Sequence, residues 1–299
     1  MNSVVDFHQY SISNYQQIET RFDSEFGVMW STMKAAPRPC YNITCLDELL
    51  QHQSYVHSSE GKIVVNGKME QVNYFVLSSA TEGVFCLGGD LSLFKQLILA
   101  KDREHLVSYG RLCIDNLWLF YNAQSPITTI SLVQGQAMGG GLESALSAHV
   151  LIAEKSALMG FPEVLFNLFP GMGALSHLAR KVGMPLAEKM VKSGKIYTGE
   201  ELYQMGVVDV LAEDGMGEFT LSSWIKKNHR SLNSFQAINK AKQRVNPLTL
   251  EELYDIVDIW ADAALRLDER NLKVMERLVR AQNTKVSSDV TQITERQIA

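Results

Sequence analysis

Two glycine-rich stretches, each following an apolar run and opening a helical one, constrain this chain more than any other feature of its sequence. The first is Phe85-Cys86-Leu87-Gly88-Gly89-Asp90, ahead of a helical pattern that starts at Leu91. The second is Val133-Gln134-Gly135-Gln136-Ala137-Met138-Gly139-Gly140-Gly141-Leu142-Glu143, after the β-branched run ITTISLV at 127–133. Glycine accepts backbone angles closed to other residues and lets the chain approach a ligand closely. A strand that turns straight into a helix leaves free N–H groups in the first helical turn, which can hold an anion. Two such turns brought together can offer two donors to one developing oxyanion. Neither stretch ends in Gly-Lys-Ser/Thr, which excludes a P-loop, and the first lacks the G-x-G-x-x-G spacing of dinucleotide sites.

The flanking pattern predicts an α/β core with crossover connections. Ile18, Thr20 and Phe22 alternate, and Val28, Trp30 and Thr32 alternate again after a turn, which predicts two strands. Thr44 is read as the cap of a helix over LDELLQHQ. A charged, glycine-containing stretch follows, then a strand at 74–78, helices over 91–100 and 102–122, a buried strand at 127–133, a helix over 138–147 and a strand at 149–153. After Gly173 the chain reads as mostly helical. Leu250, Leu253, Ile256, Val257, Trp260 and Ala264 keep i, i+3, i+4 spacing, and Leu272, Met275, Leu278 and Val279 continue it in a second helix. The division expected is an α/β core over 1–210, a helical region over 211–283 and a flexible polar tail over 284–299.

Composition narrows the function. The chain has 299 residues, enough for one large core. Its net charge of −5 gives no basic excess of the kind a nucleic-acid binder shows. The four cysteines, Cys40, Cys45, Cys86 and Cys113, form no CxxC pair and have no histidine at metal spacing, so no metal site is expected and the cysteines read as reduced and structural. The polar N-terminus, Met1 to Tyr10, is not a signal peptide, and no apolar run approaches the roughly 18 residues of a membrane helix. A cytoplasmic protein with reduced thiols is the expectation.

Two carboxylates stand out. Glu143 lies two residues after Gly141, near the start of a small-residue helix, and Glu163 lies in the apolar segment Gly160-Phe161-Pro162-Glu163-Val164-Leu165-Phe166. Burial raises a carboxyl pKa, and two neighbouring carboxyls raise one of the pair further, which suits general acid–base work near neutral pH. Taken singly, most glutamates are surface groups, so only the pairing makes the case. Asp90 reads as an N-cap rather than a proton-transfer group.

Together these segments resemble the enoyl-CoA hydratase/isomerase (crotonase) superfamily. The first stretch is similar to the family's F-x-x-G-x-D turn and the second to its V-x-G-x-x-x-G-G-G-x-E helix start. The interval of 163 − 143 = 20 residues is similar to the family's separation of two catalytic glutamates. The segment Phe169-Pro170-Gly171-Met172-Gly173 also resembles a family helix entry. The resemblance implies a spiral of ββα units with a helical C-terminal trimerisation region. It implies catalysis by Glu143 and Glu163 and an oxyanion hole from the backbone N–H groups of Leu87 and Gly140. Gly88, Gly89, Asp90, Gly139 and Gly141 would support those loops.

The words FCLGGDLSLFKQLI, LVQGQAMGGGLESALSAH, MGFPEVLFNLFPGMGA and LVRAQ (278–282) further resemble the diffusible signal factor synthases, bacterial makers of cis-2-unsaturated fatty acids for quorum sensing. That resemblance implies dehydration of a 3-hydroxyacyl-acyl carrier protein to the cis-2-enoyl thioester, then hydrolysis to the free acid. The acyl group rides on the phosphopantetheine of acyl carrier protein or coenzyme A, with no separate cofactor. It also implies a homotrimer or dimer of trimers and a regulatory sensor protein as partner. Met138, Leu142, Phe166, Leu168, Phe169, Met172, Trp260 and Leu278 are the candidates for an acyl pocket. Lys95, Lys101, Arg103 and Arg111 are candidates to meet an acidic carrier protein. An ordinary enoyl-CoA hydratase or acyl-CoA hydrolase of the same superfamily would use the same site, and a catalytically silent scaffold is the other alternative.

Overall fold

The computed structural model describes residues 15–123 and 127–280. The N-terminal segment Met1 to Tyr10, the last two residues of the 278–282 word and the tail 284–299 lie outside the described residues. In chain order the elements are β1 (Ile18–Asp23), β2 (Val28–Met33), α1 (Ile43–Ser58), β3 (Lys62–Val65), β4 (Lys68–Gln71), β5 (Tyr74–Ser79) and β6 (Val84–Cys86). Then come α2 (Leu91–Ala100), α3 (Arg103–Tyr121), β7 (Thr128–Val133), β8 (Gln136–Met138), α4 (Gly140–Leu146), β9 (Val150–Glu154), β10 (Leu158–Gly160) and a 3-10 turn, Pro162–Phe166. The remainder is α5 (Ala174–Val182), α6 (Met184–Ser193), β11 (Ile196–Thr198), α7 (Gly199–Gln204), β12 (Val210–Ala212), α8 (Gly217–Asn228), α9 (Leu232–Val245), α10 (Leu250–Ala264) and a helical run over 269–280.

Six strands form the larger sheet in the order β1-β2-β5-β7-β9-β12, parallel from β2 onward. β7 lies inside it, and all six of its residues are buried. Covered on both faces, such a strand reads as an unbroken β-branched run rather than an alternation. The faces separate by parity. Val28, Trp30, Tyr74, Val76, Ile130, Leu132, Val150 and Ile152 pack against Leu221 and Ile225 of α8, while Met29, Phe75, Leu77, Val133 and Leu151 join the main core.

The second sheet positions the chemistry. Its order is β11-β10-β8-β6, and β10, β8 and β6 are parallel neighbours. Their carboxyl ends therefore emerge side by side, the place where parallel sheets build ligand sites. β6 runs into the first glycine turn, β8 into the second, and β10 into the 3-10 turn carrying Glu163.

Several local expectations change. The helix expected over 138–147 begins at Gly140, because Gln136–Met138 is a three-residue strand, too short to show a period. The cap of α1 is Asn42, whose side chain accepts from the Cys45 amide, not Thr44. The charged stretch after α1 is the hairpin β3–β4, turned on Asn66 and Gly67, both with positive φ. That Asn-Gly pair is a strong hairpin signal in its own right. Helices α8 to α10 and the 269–280 run follow the parallel core, giving the mixed α/β fold with helices at its C-terminal end.

Candidate active site

The pairing of β8 with β10 brings Gly160 opposite Met138, and the Gly139 amide donates to the Gly160 carbonyl at 2.9 Å. Glu163, three residues past Gly160, is thereby laid against Gly139. A Cβ at Gly139 would overlap the Glu163 carboxylate, and Gly139 has φ +52°, so both space and backbone demand glycine. Gly88, with φ +90°, does the same for the other turn: a Cβ there would sit 2.8 Å from the Met138 carbonyl oxygen and 3.3 Å from the Gly140 nitrogen. The two glycine turns thus abut each other. Gly139→Ala is expected to push Glu163 aside and to lower kcat about as far as removing the Glu163 carboxyl does, with KM less affected; steady-state kinetics on both variants check this.

Glu143 sits in the first turn of α4 and is 1% exposed. Its Oε1 accepts from the amides of Met172 (2.8 Å) and Ala174 (3.0 Å), at the entry to α5. Burial raises its pKa to about 7, against the lowering effect of those two amides. Glu163 goes to about 8, through burial first and the Glu143 charge second. Its Oε2 is buried and has no hydrogen-bond partner. The structure therefore brings together on one cavity two buried carboxyls whose pKa values burial raises toward neutral pH.

The expected oxyanion donors are corrected in part. The Leu87 amide is committed to the Pro39 carbonyl at 2.8 Å, so it cannot serve a ligand, although Leu87 does line the cavity. The Gly89 amide lies beside Gly140: its nitrogen is 3.5 Å from where a Cβ of Gly140 would stand. Among the described residues neither the Gly89 nor the Gly140 amide donates to a protein acceptor. Sequence reasoning placed Gly89 in the supporting loop and missed that the Pro39 carbonyl occupies its neighbour. Asp90 caps α2, its Oδ1 accepting from Ser92 and Leu93, and Arg38 holds the same oxygen at 2.8 Å. Gly141 packs so closely on the Cys86 carbonyl that a Cβ would overlap it.

The cavity measures about 290 Å³, close to the lower end of the roughly 300–1,000 Å³ of small-molecule sites. Met138, Phe166, Leu168, Phe169, Met172, Trp260 and Leu278 line it, alongside Glu143 and Glu163. Leu142 does not. It is fully buried in the main core, because one step along a helix turns a side chain about 100° from that of Glu143. Lining residues that sequence reasoning missed include Tyr41, Tyr109, Gln53 and Asn116, from elements remote in the chain. Of the four basic candidates, Lys95 pairs with Glu276, Arg103 with Asp258 and Asp262, and Arg111 with Asp258, while Lys101 closes α2 as a left-handed cap. Lys95, Arg103 and Arg111 thus tie α2 and α3 to α10 and the 269–280 run. Among the described residues no helix is long and apolar enough to cross a membrane, and no three metal-ligating side chains converge.

Methylglutaconyl-CoA hydratase 1, mitochondrial, of Pyricularia oryzae is 32% identical over 155 residues, 51% of this chain and 42% of that protein. Enoyl-CoA hydratase domain-containing protein 2, mitochondrial, of Homo sapiens is 30% identical over 186 residues, 59% of this chain and 61% of that protein. The matches thus span between about two fifths and three fifths of these relatives. An enoyl-CoA hydratase from Bacillus halodurans superposes with a TM-score of 0.70 at 17% identity, covering 89% of this chain and all (100%) of that one. Pseudomonas aeruginosa DspI superposes with a TM-score of 0.66 at 21% identity, covering 84% and 98%. At such identities these two structures speak for the fold alone. Residues 66–257 match the model of the enoyl-CoA hydratase/isomerase family, and the chain belongs to that family.

Proposed function

We propose that this protein adds water to, or removes it from, the C2–C3 bond of an acyl thioester. The observation that carries the reading is the pair Glu143 and Glu163, with pKa values near 7 and 8, on one apolar cavity with the Gly89 and Gly140 amides. The thioester oxygen would rest on those amides, each supporting the enolate-like state by about 3–4 kcal/mol. The amides of Met172 and Ala174 favour the ionised form of Glu143, so Glu163 is the protonated member of the pair. In the dehydrating direction Glu143 takes a proton from C2, and Glu163 gives one to the departing 3-hydroxyl. Hydration reverses both transfers. The hydratase names among the relatives support this reading.

A finer reading makes the protein a diffusible signal factor synthase, which dehydrates a 3-hydroxyacyl-acyl carrier protein and then hydrolyses the cis-2-enoyl thioester. What supports it is the set of sequence words around both glycine turns, together with the wall that Trp260 and Leu278 bring to the cavity from the C-terminal helices. Acyl carrier protein, a sensor protein and a trimer belong to that reading. α9 buries none of its own residues, and Ile238 and Val245 on it are exposed, which supports association.

The deciding experiment incubates the purified protein with 3-hydroxydodecanoyl-acyl carrier protein and, separately, with 2-enoyl-CoA, and identifies every product by mass spectrometry. Free cis-2-enoic acid supports the synthase. Reversible hydration without free acid supports an ordinary hydratase. No turnover of either thioester sinks both and leaves the silent scaffold.

A further inference from the structure

Tyr41 has three hydrogen-bonding groups, and each holds a different part of the site. Its amide donates to the Gly88 carbonyl at 2.8 Å. Its carbonyl accepts from the Tyr109 hydroxyl, which in turn accepts from the Asp90 amide at 3.2 Å. Its own hydroxyl lies 2.5 Å from Ser144 Oγ, on α4 and next to Glu143. The Pro39 carbonyl takes the Leu87 amide, so residues 39–41 lie parallel to 87–89, with Tyr41 bridged to Gly89. Tyr41, Tyr109 and Ser144 are all buried, and all three line the cavity.

The direction of the hydroxyl bond follows from a count of protons. Ser144 has one hydroxyl proton, which goes to the Gly141 carbonyl at 3.0 Å. The Tyr41 hydroxyl is therefore the donor to Ser144. Burial pushes the Tyr41 phenol well above its ordinary value, so it keeps that proton. The relay from Tyr41 through Ser144 ends at Gly141, in the first turn of α4, between Gly140 and Glu143. Tyr41 thus joins the two glycine turns, by its backbone to the first and by its side chain to the second. Contact of Gly141 with the Cys86 carbonyl limits how near the turns come. A buried hydrogen bond adds direction to that contact.

We infer that Tyr41 is a positioning residue, which sets the spacing of the Gly89 and Gly140 amides through its bond to Ser144. The inference rests on the acyl-thioester reading above, in which both amides receive the thioester oxygen. Oxyanion donors act at about 2.7–3.1 Å from the oxygen as it gains charge. A turn that drifts from that distance loses support for the transition state more than it loses hold of the substrate. Phenylalanine at 41 would keep the ring and both backbone bonds, and would lose the tie to α4.

The test compares the wild type with Tyr41→Phe, Ser144→Ala and the double variant. Alanine is the best helix former, so Ser144→Ala keeps α4 and decides the matter if Tyr41→Phe fails to fold. Two readouts are taken: kcat and KM for hydration of 2-enoyl-CoA, and the absorbance of a bound conjugated dienoyl-CoA. Donors that polarise the thioester carbonyl move that absorbance to longer wavelength, and a purely structural bond would leave the shift alone. In either folded single variant kcat should fall roughly 10- to 100-fold with KM little changed, and the red shift should shrink. The double variant should be no worse than the weaker single, because both substitutions remove one bond. Wild-type kcat and red shift in a folded single variant, even with lowered stability, overturn the inference, and so do additive losses in the double variant. A wild type that shifts the probe but turns over no thioester removes the hydratase reading, while the spectra still judge Tyr41. A wild type that binds the probe without a red shift, or does not bind it, overturns both.

Discussion

Glu143→Gln and Glu163→Gln are each expected to cut kcat by about 10²- to 10⁴-fold, the usual contribution of one general acid or base. Glutamine keeps the volume and, at 143, the carbonyl oxygen that accepts from Met172 and Ala174, so the fold should stand. The pH dependence of the wild type should be bell-shaped. Chemistry needs the pair with one proton, and that form is most populated between about 7 and about 8. Activity should fall below this window as Glu143 gains a proton and above it as Glu163 loses one. Stability should move the opposite way in the variants. Both folded pKa values lie above the ordinary carboxyl value of 4.5, so the native state favours the protonated forms. The stability held by those protons is complete below the unfolded pKa and is lost as pH rises through the folded values. A glutamine cannot ionise, so each variant should be more stable than the wild type above pH 8 and equal to it at low pH. Rate profiles and denaturant melts at several pH values measure both effects. A variant that keeps wild-type kcat would remove its glutamate from the mechanism.

Trp260→Ala is expected to cost about 3–5 kcal/mol of stability, the range for deleting a large buried aromatic. Trp260 is 2% exposed, meets Phe94 edge-on at 5.1 Å, and leans on Gly171 so closely that a Cβ there would overlap its ring. It also lines the cavity. The substitution should therefore loosen α10 and widen the cavity together and, on the proposed function, raise KM for medium-chain thioesters more than it lowers kcat. Denaturant unfolding and steady-state kinetics read the two effects separately. Stability within about 1 kcal/mol of wild type would mean that α10 is held by its other buried residues, Leu253, Val257, Ala261 and Ala264.

The legible parts of the site were those where a backbone requirement leaves a residue type behind. Gly88 and Gly139 carry positive φ and Gly141 meets a carbonyl, so glycine is written at each. β7 shows as a β-branched run because it is covered on both faces. Three-residue strands leave no such mark, which is why β6, β8, β10 and β11 were not read as strands. The choice between the Leu87 and Gly89 amides was also invisible, since a backbone N–H has no residue code and the acceptor that takes Leu87 comes from Pro39.

From its order of residues alone this chain fixes the α/β core, the two turns and the interval between residues 143 and 163, because each is local: a period, a glycine, a count. Which amide is free, which side chains from remote elements line the cavity, and how burial and mutual repulsion tune the two acids were settled only by packing. Those properties depend on distances between groups far apart in the chain, such as Gln53 from Asn116 and Glu143 from the amides after Gly171. No local pattern encodes such distances.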